Sequence, residues 1–264
     1  LGFDLVVIFT GSSATPAARV HKKPLLKAGE KFEEMIQSVE GLGQIIDFRP
    51  KVEPQVFKRF TNYLYQKTIP SFNPNSSHEV KTTTIKNLID LYAFAEEYEV
   101  CTDYRNKIID KIQDGFSSID SPSKAGIVSR IYKQTKPFSQ VRKLTALFLV
   151  HYLRSPAYAE DGKFQQFLVN TPGAVGDFLE AVRTFHPNQD PRIRDCGGNL
   201  NCLECYTDPY HRKEGVIGVH PCTFHIHKYT GPFKEMKLKV INGAQVLEDD
   251  DFVDQREKCH LVRN

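Results

Sequence analysis

The sequence predicts an α+β fold in three parts: a small sheet flanked by helices over residues 1–117, a helical extension over 118–187, and a Cys/His-rich segment with an acidic tail over 188–264. Three observations predict it. Short β-branched and aromatic runs near the amino terminus are punctuated by glycine, serine and proline. Apolar stripes at helical spacing follow one another from Glu53 to about residue 184. After Pro187, cysteine, histidine, glycine and proline become dense and that spacing disappears.

Residues 4–10 read as a buried strand that ends at Gly11-Ser12-Ser13, and residues 17–21 can pair back as a second. Pro24 stands where a helix can begin, and Leu25, Leu26, Phe32, Met35 and Ile36 fit one broken helix. Gln44 to Phe48 alternates as a strand stopped by Pro50. Val56, Phe57, Phe60, Tyr63 and Leu64 mark a helix face, and the Asn73 to Ser77 stretch is loop. Asn75-Ser76-Ser77 spells a glycosylation acceptor but is read as a polar turn. Ile85, Leu88, Ile89, Tyr92 and Ala95 form the next stripe, and Thr102 is expected to cap the helix that carries Tyr104, Ile108, Ile112 and Phe116. Ser121-Pro122 and Thr171-Pro172 have the cap-then-proline form, giving helices near 122–134 and 172–184, with others near 139–153 and 161–169. Thr223 to Tyr229 and Met236 to Ile241 are strand-like and could pair as a hairpin.

With 40% apolar and 25% charged residues the composition is that of an ordinary globular chain. A formal charge of +3 is too small to announce a nucleic-acid binder without a local cluster. No apolar run approaches the length of a membrane span; the longest, Leu144 to Leu153, is interrupted by His151. The chain starts as a strand rather than a signal peptide and without Met, so residues upstream are expected. A reducing compartment, nucleus or cytoplasm, is expected.

Several segments in order resemble the BTB/POZ domain, in the form found in filamentous fungi. Asp4-Leu5-Val6-Val7-Ile8-Phe9 resembles its first strand, and Val20-His21-Lys22-Lys23-Pro24-Leu25-Leu26 resembles the opening of its helix pair. Phe32-Glu33-Glu34-Met35 and Val52 to Phe57 continue the series, and Leu88 to Tyr98 resembles the family's Leu- and Tyr-rich helix. The match spans about residues 4–116. The resemblance implies an interaction fold that forms homodimers or larger assemblies, recruits chromatin factors, or docks on cullin-type ubiquitin ligase scaffolds. It implies that Asp4, His21 and Lys22 belong to an interface. Two departures are visible: no helix precedes the first strand here, and Ser38-Val39-Glu40 lacks the leading apolar residue of the cullin-docking triplet, whereas Phe32-Glu33-Glu34 has that spelling but falls within a helix.

Five of six cysteines lie after residue 195, four of them among four histidines between Cys196 and His227. Cys202-x-x-Cys205, followed after sixteen residues by Cys222-x-x-His225, presents two pairs of soft ligands that can close a tetrahedron around Zn2+. His227 is the alternative fourth ligand, and Cys196, His211 and His220 are spare. Four protein ligands leave no open position, so the expected zinc is structural. The competing reading is reduced thiols beside a hydrogen-bonded histidine, or disulfides. Cys259 is expected to be a free thiol.

From Ser121 to Ala159 there is no Asp or Glu, while Lys124, Arg130, Lys133, Lys136, Arg142, Lys143 and Arg154 are all positive. On one face they would suit an acidic protein or a nucleic-acid backbone; the plainer expectation is a solvated face balanced by acids nearby in space. No nucleophile elbow, phosphate-binding glycine loop or His-Glu-x-x-His helix is present. The sequence therefore predicts a non-enzymatic adaptor or scaffold that binds protein partners, itself included, with no small-molecule substrate and no membrane. The alternatives are a chromatin-associated nucleic-acid binder and a cullin substrate adaptor.

Overall fold

Leu5–Phe9 is apolar at every position, and strand β1, formed by those residues, is buried on both sides from Val6 to Phe9, with Leu5 exposed at its start. The computed structural model describes residues 4–73, 75–119, 125–154, 163–186, 189–194, 217–226, 238–241 and 244–247. Residues up to His225 form one compact unit, and Ile226–Asn264 form a second.

β1 pairs antiparallel with β2 (Ala18–His21) and parallel with β4 (Gly43–Asp47), while β3 (Gln37–Val39) pairs antiparallel with β4 on its outer edge. The resulting sheet has the order β2-β1-β4-β3. Val20 lies opposite Val6, and Ile46 lies opposite Ile8. Those four face the main core, whereas Val7, Phe9 and Ile45 form a small cluster on the other face. The strand β3 is not among those expected from the sequence.

The crossover from β1 to its parallel neighbour carries helices α1 (Lys22–Ala28) and α2 (Lys31–Met35), split at Gly29 as expected of a broken helix. α1 begins two residues before Pro24, which sits in the first turn where its missing N–H has no partner to lose. Gly29 permits a close approach: a Cβ there would lie 3.1 Å from the Glu99 carbonyl oxygen. Helix α3 (Pro54–Gln66) opens on Pro54 and turns Val56, Phe57, Phe60, Tyr63 and Leu64 inward. Ser77 caps α4 (His78–Glu97) by accepting from the Val80 N–H. α5 (Thr102–Ser118) runs back beside α4. Its cap position is Cys101 rather than the expected Thr102, because the Cys101 N–H is held 2.7 Å from the Ala28 carbonyl outside the helix.

An aromatic cluster joins these elements. Phe48 lies 4.9 Å from Tyr98 edge-on, Phe60 lies 5.1 Å from Phe94, and Tyr63 stacks on Tyr104 at 3.9 Å, all between ring centroids. Such offset and edge-on geometries add to the burial of the rings.

The same core continues into α6 (Ala125–Gln134) and α7 (Gln140–Arg154), whose Ile131, Val141, Leu144 and Phe148 pack with the residues of α4 and α5. α8 (Lys163–Asn170) and α9 (Ala174–Thr184) follow. Beyond them β5 (Gln189–Arg194) lies parallel to β6 (Ile217–Val219), two strands not expected from the sequence. The Gln113 side chain donates to the Pro191 carbonyl and Ser117 to the Arg192 carbonyl, which fastens β5 along α5.

The expected strand from Thr223 is corrected to a 3-10 turn at Pro221–Phe224. Pro221 starts it, and the His220 Nδ1 accepts the Cys222 N–H across its first position. In the second unit Leu238–Ile241 (β7) pairs with Ala244–Leu247 (β8), so its hairpin partner follows it in sequence rather than preceding it. No helix among the described residues is long and apolar enough to cross a membrane.

Candidate functional site

The residues expected at an interface lie where β2 passes into α1. The Lys22 N–H donates to the Asp4 carbonyl at 2.9 Å, closing the β1–β2 ladder at the start of the sheet. The Tyr65 hydroxyl accepts the His21 backbone N–H at 2.8 Å. That oxygen can then donate to His21 Nδ1, 3.0 Å away, which ties the junction to the end of α3. Asp4 is exposed and His21 and Lys22 are half-exposed, beside the exposed Leu5. Asp4 and His21 also line a groove of about 600 Å³ with Lys23, Lys27, Lys67 and Cys101. At its floor Tyr63 donates to Asp103 at 3.0 Å. Burial pushes the Tyr63 hydroxyl far above its usual range, and Cys101 and Asp103 add to the push.

The basic stretch divides rather than forming one face. Arg130 makes a two-pronged pair with Asp90 of α4, both bonds at 2.7 Å, and this contact holds the guanidinium more firmly protonated. Lys136 pairs with Glu97 at 3.1 Å. Lys133, Lys143 and Arg154 are exposed, with the Lys143 ammonium 5.8 Å from the centre of the Phe185 ring. Arg142 is corrected from a surface cation to a buried one, 8% exposed. Its Nε donates to Thr135 Oγ1 and its Nη2 to the carbonyls of Tyr132 and Thr135. These are carbonyls at and just past the end of α6, which have no partner inside that helix. Lys124 lies outside the described residues.

Among the expected metal ligands, Cys202, Cys205 and His227 lie outside the described residues, as do Cys196, His211 and Cys259. Cys222 is half-buried in the 3-10 turn, and His225 follows it, buried against α5. The His225 Nε2 lies 2.9 Å from Asp110 Oδ1. An ionised carboxylate can only accept, so Nε2 carries the proton and Nδ1 is the nitrogen suited to a metal. Among the described residues, no group of three or more His, Cys, Asp or Glu is placed to hold a metal ion.

Around that pair lies a polar network that sequence reasoning missed. The Arg194 guanidinium, 3% exposed, donates to Gln113 Oε1 at 3.0 Å, to the Asp110 carbonyl at 2.9 Å and to Asp114 Oδ1. At the other end of β5, His151 of α7 donates through Nδ1 to the Gln189 carbonyl at 3.2 Å, leaving Nε2 near Asp190 and Arg192. Burial holds His151 below its ordinary pKa, although Asp190 opposes the shift. For Asp190 burial pushes upward, but the hydrogen bonds and charge of Arg192 prevail and lower it. No signal in the sequence pairs these groups, which come from elements remote along the chain.

Comparison with protein-family models, with curated proteins and with solved structures finds no match to this chain.

Proposed function

We propose that the chain is a non-enzymatic interaction scaffold built on a BTB/POZ-like domain, and that it associates with a second copy of itself. The observation that carries this reading is the arrangement of the amino-terminal elements. A β1–β2 hairpin is followed by a helix pair crossing to a parallel β4, then by α3 and the α4–α5 hairpin. This is the order in which the segments resembling the family fall along the sequence. Asp4, His21 and Lys22 stand together at the exposed start of the sheet, beside Leu5, and are proposed to contact the partner.

The triplet Phe32-Glu33-Glu34 lies inside α2 with Phe32 buried, and Ser38-Val39 belongs to β3, which gives cullin docking no support. Three of the cations that a nucleic-acid surface would need, Arg130, Lys136 and Arg142, are engaged by Asp90, Glu97 and the end of α6, which gives nucleic-acid binding little support.

A structural Zn2+ held by Cys202, Cys205, Cys222 and His225, with His227 as the alternative, belongs to the same proposal. What supports it is the bond from His225 to Asp110, since histidine ligands to zinc commonly give their other N–H to a carboxylate. Zinc there would fix the segment after β5, where few apolar residues are available to build a core.

The test is sedimentation equilibrium on the full chain and on an Asp4→Lys/Lys22→Glu double variant, with zinc measured by elemental analysis. A dimer that weakens in the variant at unchanged thermal stability supports the scaffold. A chain that sediments as a monomer at every concentration overturns self-association, and a chain purified from zinc-supplemented medium without zinc overturns the metal.

A further inference from the structure

The buried Arg142 does more than close the end of α6. Its Nε and Nη2 edge is taken up by Thr135 and by the Tyr132 carbonyl, and its guanidinium carbon lies 4.9 Å from the centre of the Tyr132 ring. The other nitrogen, Nη1, faces Gly173 at the start of α9, 3.6 Å from where a Cβ would stand. Among the described residues Arg142 has no carboxylate within ion-pair distance, and Nη1 has no hydrogen-bond acceptor. This edge of an always-charged guanidinium is therefore open to the cavity beside it and available to an anion.

It looks onto a half-open cavity of about 990 Å³ between the α6–α7 connection and the first turns of α9. That volume suits a ligand rather than a few waters. The walls divide by chemistry. Arg142 and Lys133 are cationic, Tyr132 and Phe138 are aromatic, and Asp177 and Glu180 are acceptors. Phe138 stands 93% exposed at the mouth in a left-handed conformation, φ 64°, which is uncommon for a bulky residue and marks a position set by something other than core packing.

We propose that this cavity binds the free carboxy-terminal residue of a peptide, its carboxylate on Arg142 Nη1, its apolar side chain against Phe138 and Tyr132, and its amide N–H toward Asp177 or Glu180. The groups required are those that a terminal residue carries together: an anion, an apolar side chain and a donor. The cavity belongs to the helical extension, and the site stands independently of association through the β2–α1 junction.

The probe is N-acetyl-phenylalanine, compared with its carboxamide, titrated into the full chain and followed by NMR shifts of the α9 amides. Because Arg142 also holds α6, its replacement could unfold the region, so two other variants carry the test. At Gly176 a side chain meets nothing within 4 Å, and Gly176→Glu places a negative charge in the open cavity without disturbing the helix. Phe138→Ala removes an exposed ring. The carboxylate is expected to bind at least about tenfold more tightly than the carboxamide, as a charge-assisted bond to Arg implies. Both variants should lose binding while keeping the wild-type melting temperature. Equal binding of acid and amide, no binding of either, or binding unaffected by Gly176→Glu overturns the proposal.

Discussion

His225 Nε2 and Asp110 Oδ1, 115 positions apart in sequence, lie 2.9 Å from each other in a buried site that also holds the guanidinium of Arg194. The carboxylate therefore faces two donor groups from the chain beyond α9, and its removal would take the buried hydrogen bond from His225 and a nearby countercharge from Arg194, which keeps Gln113, Asp114 and the Asp110 carbonyl. Asp110→Ala is expected to lower stability by about 3 kcal/mol, the cost typical of breaking a buried pair. Asp110→Asn should recover part of that loss by accepting one bond. Urea denaturation of the three proteins reads the difference.

Gly115 of α5 faces Phe72 and Ile85, and a Cβ there would lie 2.6 Å from Phe72 Cζ and 2.7 Å from Ile85 Cγ1. Gly115→Ala, normally favourable in a helix, should here cost about 1 to 3 kcal/mol through overpacking. Gly126 in α6 is the control: nothing lies within 4 Å of its Cβ position, and Gly126→Ala should stabilise. Paired thermal melts distinguish the two.

His151 links stability to pH. Burial holds its folded-state pKa below the ordinary 6.5, so the unfolded chain binds more protons in the window just beneath that value. The contribution is fully present above about pH 6.5 and is lost as pH falls through that window toward the folded pKa. His151→Gln should flatten this part of the stability profile, which urea midpoints at about pH 7 and pH 5 would show. A variant whose profile matches the wild type contradicts the assignment.

Arg130 and Asp90 join α6 to α4 through the Nε–Nη2 edge of the guanidinium and both carboxylate oxygens. Because Arg130 remains partly in solvent, a double-mutant cycle with Arg130→Ala and Asp90→Ala should give a coupling of only about 1 kcal/mol, shrinking with added salt.

Much of the first unit was legible because its elements are strongly periodic. The α3 face from Val56 to Leu64 and the α4 stripe from Ile85 to Ala95 place their apolar residues as a helix must, and β1 is apolar throughout. Boundaries were less so. Thr102 has a capping side chain, but the backbone bond from Cys101 to Ala28, a tertiary contact, moves the helix start by one residue. β5 contains Pro191 and two arginines, a poor strand by composition; Gln113 and Ser117 of α5 hold it by donating to its Pro191 and Arg192 carbonyls. Local propensity likewise favoured a strand at Thr223, where Pro221 and the His220 ring set a turn instead. Of the candidate sites, the charge run follows the plainer expectation of balance by nearby acids at Arg130 and Lys136, which meet Asp90 and Glu97, and departs from it at Arg142, which is buried. Nothing in a count of cations reveals that Arg142 turns inward to cap carbonyls or that Arg130 meets Asp90, forty positions away. The Arg194–Asp110–His225 network was invisible for the same reason.

The native mass of the chain decides between a scaffold that pairs with itself, as proposed, and one that does not. Sedimentation equilibrium of the purified chain over a wide concentration range should give the mass of two chains, twice 30.1 kDa, with dissociation on dilution. A mass of 30.1 kDa at every concentration would contradict it.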